Sequence, residues 1–167
     1  MGNASRPHPV SVNYLGPEGT FSHILASQCF PTSKLLPQPT IDGVVEATLH
    51  VSNSFGLVPV ENSSGGTVPD ALDQLVAHSG DLRVLESLSL DVRIGLLGHR
   101  GENLRIVYSH FTQVKHHRGW LLDHFPGVEL KPVESTALAA RMAASEPHAG
   151  ALSAPGAASI YGLDLIA

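Results

Sequence analysis

The sequence predicts an α/β protein made of two α/β lobes. Short apolar runs of strand character alternate with stretches of helical spacing, in the order strand, helix, strand, helix, which favours a largely parallel sheet. Two such runs are joined by one long alternating segment, Leu82 to Leu97, which reads as extended structure crossing from one lobe to the other. A chain of 167 residues is long enough for two small lobes. Hydrophobic residues at 43% against charged residues at 15% supply a core and argue against disorder. The division expected is a tail over 1–9, a first lobe over 10–85 and a second over 86–167. A cleft between lobes is a favoured place for a small ligand.

Val10, Val12 and Tyr14 alternate with polar residues and meet Gly16-Pro17, which predicts a strand entering a turn. Phe21, Ile24, Leu25 and Gln28 predict a helix starting near Thr20, a suitable N-cap. Pro37, Gln38 and Pro39 break the chain, and Thr40 with Asp42 opens a second helix through Val44, Val45, Ala47 and Leu49. Phe55 to Val60 reads as a buried strand that delivers the polar loop Glu61-Asn62-Ser63-Ser64-Gly65-Gly66. Val68, Leu72, Leu75 and Val76 space as a helix. After Gly98 the pattern restarts, with strands over 104–108, 128–133 and 150–152. Helices over 112–125, 135–144 and 155–161 alternate with them, the last with proline at its start. Leu163 to Ile166 begins one more strand.

Charge and cysteine usage exclude several classes. The net charge of −5 and the scattered Lys and Arg residues offer no basic stripe for nucleic acid. One cysteine, Cys29, forms no internal disulfide, and a reducing, cytoplasmic setting is expected. No apolar run reaches the roughly 18 residues of a membrane span. The N-terminus lacks the apolar core of a secretory signal, and Arg6 stands where a myristoylation motif needs Ser or Thr. The Asn3-Ala4-Ser5 and Asn62-Ser63-Ser64 sequons are therefore read as chance. Among ten histidines, His117 and His124 share a helix face but lie two turns apart, and His116 faces elsewhere. With no HExxH and no cysteine pair, no metal site is expected. Cys29 is read as core rather than nucleophile.

Four loops at strand ends could carry chemistry. In Gly16-Pro17-Glu18-Gly19-Thr20-Phe21-Ser22-His23, glycines let backbone approach a ligand and the helix start offers N–H groups to an anion. The same residues also read as an ordinary turn with Thr20 as cap. Glu61-Asn62-Ser63 follows a strand, where ligands sit in open α/β folds, or is a solvated turn. Ser109-His110 offers an anion ligand or a proton donor, or a surface histidine. Ser135-Thr136 is another helix start, or simply an N-cap. Together they suit a small, hydroxylated molecule with several anionic groups, and do not name a reaction.

In this order the motifs resemble those of prephenate dehydratases. Tyr14 to His23 is similar to the family's opening motif, and Gly56 to Ser63 to its second, followed by Gly66, Val68, Leu72 and Asp73. Glu86, then Ser109-His110 with Trp120-Leu121, then Ser135-Thr136-Ala137, then Ala157-Ala158 with Tyr161-Gly162-Leu163 resemble later blocks. The resemblance runs from about Val10 to Ala167. It implies two lobes like those of type II periplasmic binding proteins, with the site between them. It implies cofactor-free loss of water and carbon dioxide from prephenate to give phenylpyruvate, for phenylalanine synthesis. Carried over by position, Thr20, Phe21, Ser22, Asn62, Ser63, Ser109, His110, Ser135 and Thr136 would bind this carboxylate substrate, with Glu61 shaping its loop. A homodimer is implied as well.

The chain also departs from the family. Within these 167 residues the family's Thr-Arg-Phe motif has no counterpart after the Tyr-Gly-Leu block, so the threonine usually given the proton-transfer role is not among them and His110 is left as a candidate catalytic group; the chain reads either as a fragment of a working dehydratase or as a shortened relative. The regulatory ACT domain has no counterpart either. Phe111, Thr112, His116 and His117 replace the usual Pro, Gln and Gln-Cys around the Ser-His block. Two other readings stay open: a homologue repurposed in secondary metabolism, of the prephenate-decarboxylase or tropone type, and a non-catalytic small-molecule-binding protein.

Overall fold

The computed structural model describes residues 8–63 and 65–167. The Asn3-Ala4-Ser5 triplet read as chance, the residue pair Gly2 and Arg6, most of the 1–9 tail, and Ser64 lie outside the described residues. The described residues divide into two compact units: unit 1 holds those of 8–17 and 22–90, unit 2 those of 18–21 and 91–167.

Unit 1 is built on three parallel strands in the order β2-β1-β3. These are β1 (Ser11–Leu15), β2 (Lys34–Gln38) and β3 (Ser54–Leu57), joined through helices α1 (Phe21–Cys29) and α2 (Ile41–Leu49). Central β1 is buried along Ser11–Tyr14 because a helix covers each face. Val12 and Tyr14 pack with Ala26 and Phe30 on the α1 side. Asn13 points the other way, toward α2, where its Nδ2 donates to Ser54 Oγ at 2.8 Å and lies 3.5 Å from Thr48 Oγ1. Gln38 Nε2 donates to Asn13 Oδ1 at 3.1 Å, so the buried amide ties all three strands together. Thr40 caps α2 as the sequence predicts, its Oγ1 accepting from Gly43 N at 3.0 Å. A two-stranded hairpin of β4 (Glu61–Asn62) and β5 (Gly66–Thr67) precedes α3 (Pro69–Ala77).

Strand β2 is not legible in the sequence, because Pro37 and its neighbours read as a break. β2 is an edge strand, where a missing N–H does no harm, and Pro37 lies in register with Tyr14. The predicted 55–60 strand is also shorter, ending at Leu57.

Unit 2 has five strands in the order β10-β6-β9-β7-β8. They are β6 (Gly95–Gly98), β7 (Ile106–His110), β8 (Glu129–Val133), β9 (Ala149–Ser153) and β10 (Asp164–Leu165). β7, β8 and β9 are parallel, whereas β6 runs antiparallel to both β9 and β10, so this sheet is mixed. Helix α4 (Phe111–His124) contributes Leu121 to a cluster with Leu96, Val107 and Leu152 on one face. Helix α5 (Thr136–Ser145) and α6 (Ala157–Tyr161) cover the other, against Leu97, Ile106, Tyr108 and Ala151. The alanines at 139, 140 and 143 on α5 are fully buried and leave room for the helix to sit close on the strands.

The extended segment expected over 82–97 contributes a strand only at Gly95–Gly98. The residues before it run without turn or bend but join no sheet. Alternating side chains report a chain with two unlike sides, not a ladder. No helix among the described residues is long and apolar enough to cross a membrane.

Candidate functional site

The predicted residues of unit 2 gather at the carboxyl ends of parallel strands. Register pairs His110 on β7 with Val133 on β8, so the β7–α4 and β8–α5 loops leave the same edge side by side. That edge is where open α/β sheets place ligands. Ser109 is fully buried, and its Oγ donates to the Leu152 carbonyl on β9 at 3.1 Å. Its hydroxyl proton thus locks β7 to β9 and sets the direction in which His110 leaves the strand.

His110 is half-buried and occupies the N-cap of α4, making no side-chain cap bond there. Its ring lies 4.3 Å from that of Phe111, tilted by 48°. Burial pushes its pKa below the ordinary histidine value, so the neutral imidazole dominates at pH 7. A neutral ring there can donate or accept one hydrogen bond. It becomes a cation only when an anion or acid favours the proton.

Ser135 is the N-cap of α5, its Oγ accepting from Leu138 N at 3.1 Å. The hydroxyl keeps its own proton for a ligand. Thr136 at the first helical position is buried. Unit 2 also holds the short stretch 18–21. There Tyr161 Oη donates to the Glu18 carbonyl at 2.5 Å, and burial raises the phenol's pKa. Gly19 has φ +85°, and a Cβ there would sit 2.8 Å from Tyr161 Cε2, so both the backbone and the tyrosine ring require glycine. Thr20 and Phe21, which follow it, are half-buried.

In unit 1, Ser22 is half-buried on α1, whereas Asn62 and Ser63 are exposed on the β4–β5 hairpin. Asn62 Oδ1 accepts from Gly65 N at 2.5 Å, which closes the tight turn. Glu61 is exposed and pairs with Thr67 through the backbone.

One residue and one contact escaped the sequence reading. Ser153 ends β9 fully buried, and its Oγ has no partner within the described structure. Nothing in a lone serine after Ala-Leu marks it, since its burial comes from strands distant in sequence. Tyr161 belongs to the Tyr-Gly-Leu block, but its bond to Glu18, 143 residues away, leaves no mark in the sequence. Cys29 is half-buried against the unit 1 core. Trp120 stacks on His124 at 4.3 Å on the exposed side of α4. Among the described residues no three His, Cys, Asp or Glu side chains converge as metal ligands.

A cavity of about 330 Å³ does occur in unit 2, lined by Arg100, Glu102, Leu104, Phe125, Leu165 and Ile166 among others. It opens by the loop preceding β7, at the amino ends of the parallel strands. None of the residues from the four loops lines it. The predicted hydroxyls, helix starts and histidine of unit 2 lie instead at the carboxyl ends of its parallel strands.

A family model described as prephenate dehydratase matches residues 12–167. A bifunctional chorismate mutase/prephenate dehydratase of Stutzerimonas stutzeri is 38% identical over 163 residues, covering 95% of this chain and 44% of that protein. A prephenate dehydratase of Lactococcus lactis subsp. cremoris is 31% identical over 161 residues, covering 95% and 57%. The chain thus spans about half the length of the curated relatives it matches. Among solved structures, the prephenate dehydratase of Staphylococcus aureus superposes with a TM-score of 0.77 at 26% identity, over 93% of this chain and 59% of that one. The enzyme of Arthrobacter aurescens in complex with L-Phe gives 0.81 at 26%, over 95% and 55%. A protein described as a novel type of quorum-quenching acylase gives 0.82 at 23%, over 94% and 58%, which is a likeness of fold alone.

Proposed function

This chain belongs to the prephenate dehydratase family, and from that premise we propose that it acts on prephenate as a dehydratase-like lyase in phenylalanine biosynthesis. The observation that carries the reading is that the family match spans 12–167, so all four polar loops fall inside it. The reaction makes strong demands on few groups. The ring hydroxyl leaves as water and takes up one proton. The carbon–carbon bond to the ring carboxylate breaks, its electron pair enters the ring, and carbon dioxide departs. Aromatisation drives the step, so the protein's part is to hold two carboxylates and deliver a proton.

The proposed division of labour follows the chemistry of each loop. The uncapped start of α4 and the Ser135 hydroxyl in unit 2 suit a carboxylate. His110 is proposed to donate a hydrogen bond to substrate and to supply the proton to the leaving hydroxyl. Thr20, Phe21, Ser22, Asn62, Ser63 and Thr136 are proposed as further substrate contacts, and Ser109 as the residue that aims His110.

The test is phenylpyruvate formation from prephenate at neutral pH, read by absorbance after adding alkali. A rate well above the spontaneous one is expected, falling about 100-fold or more in His110→Ala, the usual scale for a lost proton donor. No rate above buffer would reject the lyase. Calorimetric binding of prephenate without turnover would then favour the binding-protein reading.

A further inference from the structure

The cavity of about 330 Å³ in unit 2 takes no part in the site proposed above, and its lining has a chemistry of its own. Leu104 and Phe125, which pack on the cluster of Leu96, Val107 and Leu152, line it together with Leu165 and Ile166. The last two are 49% and 37% exposed, so this apolar surface is left uncovered. Beneath it Gly98 on β6 faces Gly150 on β9. A Cβ at Gly98 would come within 2.7 Å of Ile166 Cδ1, and one at Gly150 within 3.0 Å of Leu104 Cδ1. The bare pair thus lets both apolar side chains settle onto the backbone of the sheet.

Two charged residues complete the lining, and only one of them is committed. Glu102 Oε2 accepts from His148 N at 2.6 Å and lies 4.0 Å from His148 Nδ1, so this carboxylate is turned to His148. Arg100 bonds through its backbone, its N donating to Asp164 Oδ2 at 3.0 Å. Its guanidinium meets no acceptor among the described residues. The cavity therefore offers apolar surface and one free cation. A guanidinium is weakly hydrated and matches a planar carboxylate. An aromatic wall favours a ring beside it. The volume lies near the lower end of the roughly 300–1,000 Å³ of small-molecule sites.

We propose that this cavity binds an arylalkanoic acid, with the carboxylate on Arg100 and the ring against Phe125 and Leu104. The site is distinct from the loops at the carboxyl ends of the strands and does not depend on the reaction assigned to them.

The chain carries its own reporter. Trp120, its one tryptophan, has its ring 6.1 Å from that of Phe125. Hydrocinnamate titrated into the purified protein at millimolar concentrations should change Trp120 emission saturably, and calorimetry repeats the titration without relying on the reporter. Arg100→Gln should weaken binding about tenfold or more, the scale of one hydrogen bond between charged groups. Arg105→Gln removes the same charge from an exposed arginine outside the cavity and should leave binding unchanged. Hydrocinnamyl alcohol keeps the ring without the charge, acetate the charge without the ring, and both should bind far more weakly. His110→Asn should leave the hydrocinnamate titration as it is. Absence of binding by both methods overturns the proposal. So does an alcohol that binds as tightly as the acid, or an equal loss in the two arginine variants. Loss of binding in His110→Asn would overturn it too, by placing the acid at the carboxyl ends of the strands.

Discussion

At the scale of single residues, His110 makes a prediction with a definite sign. Its pKa in the folded protein lies below the ordinary value because burial disfavours the cation. Between the ordinary and the lowered pKa the unfolded chain binds more protons than the folded one. Stability therefore falls as the pH drops through that window and is unaffected well above it. His110→Asn should remove this acid sensitivity, giving a flatter plot of unfolding free energy from pH 7 to 5; an unchanged slope would show that other groups control it. The same shift bears on ligand binding. A bound dianion favours the imidazolium, so prephenate should bind with proton uptake and lose affinity as pH rises through the window. Calorimetry in buffers of different ionisation heat reads that uptake, and His110→Asn should abolish it. The histidine itself was legible in the sequence as a polar residue at a strand end. What could not be read was its neutrality, which comes from packing, or the burial of Ser109, whose acceptor on Leu152 lies 43 residues away.

At the scale of elements, the local capping rules transfer well and the distant ones do not. Thr40 and Ser135 both precede helices as Ser/Thr residues after strands, and both accept the expected N–H. Ser135→Ala should cost about 1 kcal/mol of stability in a urea titration, whether or not the hydroxyl also meets substrate. A loss of turnover far exceeding that destabilisation would separate its ligand role from its cap role. Tyr108 at the end of the α5 face gives a sharper case. Its hydroxyl donates to Glu146 Oε2 at 2.5 Å, and that bond with burial pushes its pKa up to about 12. The phenol stays protonated throughout the working range, so the bond is a fixed strut between β7 and the end of α5. Tyr108→Phe should cost about 0.5–1.5 kcal/mol, the usual net range for an intramolecular hydrogen bond. No periodicity could pair Tyr108 with Glu146, just as none could recognise β2 through its prolines. Elements whose stability is internal were legible, and those defined by neighbours were not.

At the scale of the whole molecule, the sequence displayed its α/β alternation because the central strands β1, β7 and β9 are buried along nearly their whole length and are separated by stretches of helical spacing. It could not display the antiparallel placing of β6, since strand direction leaves no mark on side-chain pattern. Nor does the fold itself select a reaction, as the fold-level likeness to a protein described as an acylase makes plain. Ligand linkage supplies the missing discrimination. A molecule that binds the folded chain alone stabilises it by about 2.7 kcal/mol at 100 times its dissociation constant. For a chain of this size that raises the melting midpoint by roughly 5–10 °C. Prephenate should produce this shift, and the shift should shrink in His110→Asn and in Asn62→Ala. Simple carboxylates such as acetate, offered at the same concentration, should produce none. A shift by prephenate that survives both substitutions would move the binding site away from the carboxyl ends of the strands, leaving the cavity beside Arg100 as the place to look.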